Sequence, residues 1–294
     1  DPVLYFPKLK ELEEEEPSLH LCWNDELQQI EARLMGDMQI DLLKRMIAER
    51  FSISCEMDAG KILYKEKIAA KTVGVGHFEP LRHYAEVHIL LEPLPPGSGI
   101  VKDTVCSTDV LDISYQSLIM AHIGEKIHRG VLTGAPLTDV KITLLVGKAH
   151  LKHTEGGDMR QATYRAVRQG LMQAKSVLLE PWYDFVLACP TEQIGRAITD
   201  IRAMGGEFDA PESAGAESIL RGTVPASEVR DYADTVAAYT QGKGMLQVSL
   251  QGYAPCHDAQ KVIEEMAYNA EADLENTPDS VFCDHGAGVT VKWD

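Results

Sequence analysis

The chain has 294 residues, 45% of them hydrophobic, and a formal net charge of -17 at pH 7. This length fits about two or three small soluble domains, and the overall acidity argues against a nucleic-acid partner for the chain as a whole. Six scattered cysteines without a C-x-x-C pair favour free thiols in a reducing cytoplasm over a disulfide framework or a zinc knuckle, and no apolar run is long enough to span a membrane.

The first residues, Asp1–Phe6, contain neither a basic segment nor a long apolar one, so we expect no signal peptide. The chain also begins without methionine. We therefore expect a cytoplasmic protein, cut from a longer soluble chain and without a membrane segment.

The first 70 residues mix helical and extended patterns. The predicted elements are a charged helix at Lys8–Glu16, a strand at Ser18–Trp23, an amphipathic helix with Ile40, Leu43 and Ile47 on one side, and a strand at Ser52–Met57. Pro17 is predicted to end the first helix, and Asp37 is the N-cap candidate of the second. Asp25–Met35 fits a helix by composition and a strand by its period of two. This mixture predicts a small α+β unit.

The middle of the chain alternates strands and helices. The predicted elements are a strand at Tyr84–Leu91, a helix at Tyr115–Arg129, a strand at Asp139–Leu145 and a helix at Asp158–Ala174. Glu92–Gly99 is a turn-rich loop, Gly147–Gly157 is a second loop, and Asp158 is the N-cap candidate of the helix that follows.

The last third has a clear order of elements. The predicted strands are Phe185–Ala188, Gly206–Ala210, Ser218–Val224 and Met245–Leu250, and the predicted helices are Glu192–Met204 and Ser227–Tyr239, with Ser227 as N-cap. The order βαββαβ predicts a ferredoxin-like split βαβ unit. A final helix is predicted at Asp258–Tyr268, and Glu275–Asp294 receives no assignment.

Charge is unevenly distributed along the chain. Between Ala69 and Glu180 there are 12 basic and 11 acidic residues, together with seven of the ten histidines. Within this segment, Lys141–Lys175 has seven basic residues and two acidic ones. This stretch suits phosphate contacts, and an ordinary solvated helix face remains the alternative.

Nucleotide and catalytic motifs are absent from the sequence. No G-x-x-x-x-G-K-[ST] occurs, so nothing predicts a triphosphate site of the P-loop type. His150 and His153 lie near Glu155 and Asp158, but their spacing favours a solvated loop over metal ligands. Two Cys/His pairs, Cys256-His257 and Cys283 with His285, lack a placed third group and are interpreted as incidental. We expect no catalytic residue and no metal site, and hence no enzyme activity in this chain.

Several short stretches keep the order and spacing of one known family. They are Glu16–Leu19, Leu34–Ile40, Arg45–Phe51, Tyr64–Ile68, Glu92-Pro93 with Gly97–Gly99, Gly130–Lys141, Leu178–Trp182, Gly222–Ala226 and Tyr239–Gly244. Together they resemble elongation factor G and its relatives, the tetracycline-resistance ribosomal protection proteins. The matches extend from Pro17 to about Pro255.

The resemblance implies an α+β architecture of three small mixed domains. Ferredoxin-like split βαβ units would flank an elongated, ribosomal protein S5-like α/β domain. Residues 1–68 would be a trimmed third domain, 69–180 the fourth, 181–256 the fifth, and 257–294 a C-terminal helix and tail. The resemblance also makes Leu27–Leu34 a strand. The GTPase domain, with its GTP and magnesium, would precede Asp1 in the parent protein.

In this family the tip of the fourth domain enters the decoding region of the small ribosomal subunit. By resemblance, the tip here is the loop Gly147–Gly157, with a second loop, Gly74–His83, beside it. The residues expected to contact ribosomal RNA are His150, Lys152, His153, Lys148, His77 and Phe78. Glycine allows close approach, lysine meets phosphate, and histidine and phenylalanine stack on bases. For Phe78, burial in the domain core is an equal alternative.

The implied partner is the bacterial ribosome, through small-subunit RNA and ribosomal proteins, and we expect a monomer. Ribosomal protection proteins carry Tyr-Ser-Pro-Val at the tip, where this chain has His150-Leu151-Lys152-His153. His150 at this place is similar to elongation factor G. The loop Gly147–Asp158 nevertheless has the length found in the ribosomal protection proteins, and Asp158-x-Arg160 also resembles them. Protection against tetracycline is therefore the first hypothesis, and a translocation factor is the second because of His150. A protein-binding module without ribosome contact is the alternative of another class.

Overall fold

A computed structural model describes residues 2–15, 19–24, 29–33, 37–55, 57 and 61–294. The helices are α1 Pro2–Glu15, α2 Asp37–Phe51, α3 Ile113–Glu125, α4 Gly156–Gln173, α5 Ile194–Ala203, α6 Ala226–Val229, α7 Tyr232–Tyr239 and α8 Ala259–Met266. The strands are β1 His20–Asn24, β2 Gln29–Arg33, β3 Lys65–Ile68, β4 Thr72–Phe78, β5 Ala85–Pro93, β6 Ile100–Thr104, β7 Val140–Ala149, β8 Ser176–Pro190, β9 Glu207–Phe208, β10 Glu212–Ala214, β11 Glu217–Pro225, β12 Met245–Pro255, β13 Ser280–Asp284 and β14 Ala287–Val291. The predicted α+β class is confirmed.

Contacts divide the chain into two compact units. One contains Asp1–Lys61 and Tyr183–Leu250, and the other contains Ile62–Trp182 and Gln251–Asp294. The domain boundaries predicted at residues 68, 180 and 256 remain predictions. Among the described residues, none of the helices has the length and apolar character needed to cross a bilayer.

The N-terminal part of the first unit packs α1 and α2 around the β1–β2 hairpin. Its buried residues are Leu9, Leu12, Leu19, Leu21, Leu43 and Ile47. The helix α1 begins at Pro2, earlier than predicted, and it continues through Pro7. Proline is well tolerated in the first turn of a helix, as at Pro2. The predicted helix end at Pro17, the start of the second strand near Leu27 and the capping side chain of Asp37 lie outside what the structure describes.

The strand predicted at Ser52–Met57 is wrong for the described residues of that segment. Ser52 has a positive φ of 54°, which ends α2, and residues 52–55 and 57 have no regular structure. The apolar alternation is real, since Ile53, Cys55 and Met57 pack against the core of this part. An alternating pattern reports one-sided burial, and a strand also needs a partner for its backbone.

The C-terminal part of the first unit has the strand order of a split βαβ fold. β8 lies between β11 and β12, and both β9 and β10 pair with β11. Alternate residues of β8, Phe185, Leu187 and Cys189, are buried together with residues of α5 and α7. The single helix predicted at Ser227–Tyr239 is wrong: Asp231 leaves the helical region at φ -104° and ψ 11°, and it separates α6 from α7. Ser227 therefore lies inside α6, and Pro225 is its N-cap.

The second unit is built on a six-stranded sheet of order β14-β13-β4-β5-β7-β6. Alternate residues of β5, Ala85, Val87, Ile89 and Leu91, are fully buried in one core with residues of α3 and α4. The strands β6 and β7 are parallel, and α3 makes the crossover that parallel strands require. The helix α3 begins earlier than predicted, because the side chain of Asp112 caps it by accepting from the Ser114 N–H at 2.8 Å. It also ends earlier than predicted, at Glu125.

Two glycines of β4 allow helix α4 to lie directly on the sheet. A Cβ atom on Gly74 would lie 2.0 Å from the Ala166 carbonyl oxygen, and one on Gly76 would lie 1.9 Å from that of Ala162. The predicted loop Gly74–His83 is therefore wrong in its first half, which is strand. The close packing of α4 on the sheet explains why these two positions are glycine. Their small size therefore does not support close approach of the backbone to RNA.

His128 lies buried after the end of α3 and gives a pH-dependent stability. Burial, together with the nearby charge of Lys126, lowers the pKa of His128 from 6.5 to about 4, although its Nε2 contacts the Ile123 carbonyl oxygen at 3.0 Å. The folded protein thus holds the neutral ring, while the unfolded chain takes up a proton near pH 6.5. This contribution to stability is complete above pH 6.5 and is lost as the pH falls toward 4.

Between pH 7 and pH 4, we expect the free energy of unfolding of His128→Gln to fall by about 3 kcal/mol less than that of the wild type. This value corresponds to the lowering of the His128 pKa from 6.5 to about 4. Denaturant unfolding followed by circular dichroism at several pH values measures it. The exposed His285, which is 96% exposed at its side chain, provides the control substitution His285→Gln. An unchanged pH slope in His128→Gln would contradict the assignment.

Candidate nucleic-acid interface

The predicted tip is a tight turn between a strand and a helix. β7 continues to Ala149, and α4 begins at Gly156, so the predicted loop Gly147–Gly157 is shorter than the sequence indicated. Asp158 is not the N-cap: Glu155 holds that position, and the Asp158 carboxylate accepts from the Glu155 N–H at 2.9 Å. The carboxylate of Asp158 also lies 3.0 Å from Nδ1 of His83. Both ends of the turn are therefore fixed by regular structure.

Thr154 holds the turn in place. Its hydroxyl donates to the Tyr84 carbonyl oxygen at 2.5 Å and accepts from the His150 N–H at 2.7 Å. The N–H groups of His153 and Thr154 donate to the His150 carbonyl oxygen at 3.0 and 2.9 Å. The sequence does not indicate this role of Thr154, because a hydroxyl in a polar loop gives no signal that distinguishes it from its neighbours.

The turn presents an exposed group of side chains. His150, Lys152 and His153 are exposed, and Leu151 is 99% exposed. The two imidazole rings stack, with centroids 4.6 Å apart and planes inclined by 23°. The turn offers π faces, one ammonium group and one apolar side chain. These are the groups that contact single-stranded RNA through stacking and phosphate binding.

Lys148 belongs to a different environment from the rest of the predicted tip. Its ammonium group lies 3.1 Å from Glu86 Oε1 on the neighbouring strand. Burial alone would raise the pKa of Glu86, but hydrogen bonds from His88 and Lys148 outweigh burial and lower it. Because the neighbouring Glu86 is ionised, it partly neutralises the charge of Lys148. Lys148 should therefore attract a phosphate less strongly than Lys152 does.

His77 and Phe78 lie beneath the C-terminal tail. The tail strand β13 pairs in parallel with β4 at Val281 and Phe78, and the His77 ring stacks on Phe282 with centroids 4.1 Å apart. His77 is only 8% exposed, and its Nε2 lies 2.9 Å from Glu79. Phe78 packs against the core, with the Arg165 guanidinium over its ring at 5.1 Å. The structure thus separates these two residues from the exposed turn, and their RNA contact remains a prediction.

The tail that covers His77 lies within Glu275–Asp294, for which the sequence predicts no element. It forms a hairpin whose two turn residues, His285 and Gly286, have φ values of 48° and 84°. Positive φ at both central residues is typical of the tight turns that join two strands. The His285-Gly286 pair between the apolar run Val281–Cys283 and the β-branched run Val289–Val291 was the available signal, although it is weaker than Asn-Gly.

Most of the basic stretch Lys141–Lys175 is engaged within the fold. Lys141 pairs with Asp103 at 2.7 Å, and Arg160 pairs with Glu125 at 3.0 Å. Arg168 is 3% exposed and donates to four oxygen atoms, which belong to Arg129, Gly130, Tyr268 and Ala270. Local charge density therefore overstated the surface that is available to phosphates.

Family comparisons agree with the organisation of the chain. The family described as elongation factor G, domain IV matches residues 60–175, and the family described as elongation factor G C-terminus matches residues 177–263. Together these matches account for more than half of the chain and follow the sequence order of the two domains. The chain belongs to the elongation factor G family.

Two relatives illustrate the extent of the likeness to this family. The chain is 30% identical over 250 residues to the tetracycline resistance protein TetP of Clostridium perfringens, covering 84% of this chain and 38% of that protein. A crystal structure from Thermus thermophilus matches with a TM-score of 0.72 and 26% identity, covering 90% of this chain and 41% of that one. The chain thus spans about two fifths of the length of these relatives. In domain IV, the candidate interface is the turn that follows β7.

The two Cys/His pairs have different surroundings in the structure. Cys283 and His285 are exposed on the tail hairpin, whereas Cys256 is half-buried beside Glu180. Burial and, to a smaller extent, Glu180 raise the pKa of Cys256 to about 11. A thiol that stays protonated at neutral pH is a poor nucleophile. The Cys256-His257 pair therefore lacks the activated thiol that covalent catalysis needs.

Proposed function

We propose that this chain is the ribosome-binding C-terminal part of a translational GTPase, and that its domain IV turn enters the decoding region of the small subunit to protect the ribosome against tetracycline. The observation that carries the proposal is the exposed turn His150–His153 at the end of a strand–turn–helix unit. Membership of the elongation factor G family and the name of the relative TetP support it.

The rigidity of the turn supports an inserted tip. Thr154 joins the turn to Tyr84, the residue before β5, and the capping contact between Glu155 and Asp158 fixes the start of α4. A binding group that is already ordered loses less conformational entropy when it binds. His150, Leu151, Lys152 and His153 would therefore meet RNA as one preformed surface.

The rest of the chain would contribute little phosphate attraction. The net charge is -17, and the basic residues of α4 are used within the fold. We expect the chain alone to bind ribosomes weakly and the parent protein to need its GTPase domain as a second anchor. GTP and magnesium would bind in that domain, and this chain would supply neither a cofactor site for them nor a catalytic residue.

The experiment uses the full-length parent protein with GTP and purified bacterial ribosomes carrying labelled tetracycline. Release of the label above the level seen without the parent protein is the expected result. Absence of release with ribosome-stimulated GTP hydrolysis intact would favour a translocation factor, for which His150 at the tip is the supporting observation. Absence of ribosome binding at low salt would contradict both functions and favour a protein-binding module.

A further inference from the structure

Three side chains that offer different donor atoms meet in the second unit. Glu180 belongs to β8, and Cys256 and His257 follow the end of β12. One donor atom of each, a carboxylate oxygen, the thiol sulfur and an imidazole nitrogen, lies within 4.8 Å of both others. Glu180 Oε1 and His257 Nδ1 are 2.8 Å apart. The sequence offered the Cys-His pair without a third group, and the fold supplies that group.

The backbone fixes these residues in position. The Cys256 N–H donates to the Leu178 carbonyl oxygen at 2.9 Å, and the His257 N–H donates to Glu180 Oε1 at 2.6 Å. Glu180 is completely buried, while His257 is exposed on the other side of the cluster. A metal bound here would have protein on one side and solvent on the other, which leaves a position for water.

The donor set selects the class of metal. Calcium and magnesium take oxygen ligands, whereas a set with one sulfur, one nitrogen and one oxygen suits zinc and similar divalent transition metals. Tetrahedral zinc ligands lie roughly 3.3–3.8 Å from each other, as follows from metal–ligand bonds of about 2.0–2.3 Å. The observed grouping therefore needs only small side-chain movements to close around an ion.

We propose that Glu180, Cys256 and His257 bind one zinc-class divalent ion, with a water molecule as the fourth ligand. The ion would join Glu180 of β8 to Cys256 and His257, in the segment between β12 and α8. Binding releases the Cys256 thiol proton to solvent, and His257 binds through a neutral ring nitrogen. Because this segment leads to α8 and the tail hairpin, the ion would stabilise the part of the chain that covers β4. The proposal does not depend on ribosome binding.

Cobalt(II) titration of the reduced, tag-free chain tests the site. We expect one equivalent to bind, with the intense visible bands of a tetrahedral ion and a sulfur-to-metal charge-transfer band, both abolished by added zinc. Cys256→Ser and His257→Gln should weaken cobalt binding by more than about 100-fold, since they remove ligands and not merely their supporting partners. The exposed second pair gives matched controls, Cys283→Ser and His285→Gln, which should bind as the wild type does.

Thermal unfolding with and without zinc gives an independent readout. The midpoint should rise with zinc in the wild type and in Cys283→Ser, and it should stay unchanged in Cys256→Ser. Because Cys256 is half-buried, its serine variant is expected to fold, which circular dichroism would check. Absence of tetrahedral bands in the wild type, or equal cobalt spectra in Cys256→Ser and the wild type, would overturn the proposal.

Discussion

Replacing Gly76 with alanine is expected to prevent stable folding of the second unit. The new Cβ would lie 1.9 Å from the Ala162 carbonyl oxygen and 2.5 Å from the Ala166 nitrogen, both of which are backbone atoms of α4. Backbone atoms within a helix do not rotate away as a long side chain does, so α4 must move off the sheet. Overpacking in a core costs about 1–3 kcal/mol, and displacement of a whole helix costs more.

The measurement is thermal and denaturant unfolding of the chain, with limited proteolysis of α4. Gly157, which lies in α4, provides the control, since a Cβ on this glycine would have no atom within 4 Å. Gly157→Ala should be neutral or stabilise the chain by up to about 1 kcal/mol. If Gly76→Ala unfolded at the same temperature as Gly157→Ala, the close packing of β4 against α4 would be wrong.

Combined replacement of His150 and Lys152 by alanine is expected to abolish most of the ribosome-linked activity of the full-length parent. Loss of a base-stacking contact costs about 1–3 kcal/mol, or roughly 5- to 150-fold in affinity. Loss of a phosphate contact should also flatten the salt dependence of binding by about 0.7–0.9 in the logarithmic slope. Ribosome sedimentation at several salt concentrations and release of labelled tetracycline measure these effects.

Lys148→Ala is the matched control for the tip variant. Lys148 was predicted alongside the tip residues, but its ammonium group is paired with Glu86 on the adjoining strand. Removing such an exposed pair changes stability by at most about 1 kcal/mol, and we expect ribosome affinity to stay within a few-fold of the wild type. A fully active His150/Lys152 double variant would refute the tip assignment. If Lys148→Ala lost as much ribosome affinity as the double variant, the RNA-contacting surface would have to include β7, to which Lys148 belongs.

The sequence determined much of this protein through local signals. Hydrophobic period identified most helices and strands of residues 84–250, because burial on one face leaves its mark along a single element. The exposure of the turn His150–His153 also follows from local composition, since short polar segments between a strand and a helix lie at the surface. The failures near Ser52 and Ser227 arose where an apolar pattern continued through a change in backbone direction.

Only the tertiary structure decided which distant residues meet. The tail strand β13 covers His77, and the His77 N–H donates to the hydroxyl of Ser280. These two residues are 203 positions apart in the chain, and no local pattern encodes their pairing. The sequence around Gly76 predicts a loop, and only the packing of α4 against β4 shows why glycine is needed there. Glu180 joins Cys256 and His257 in the same way. Such contacts depend on backbone pairing and packing between segments far apart in the chain, whereas sequence period reports only which side of each segment is buried.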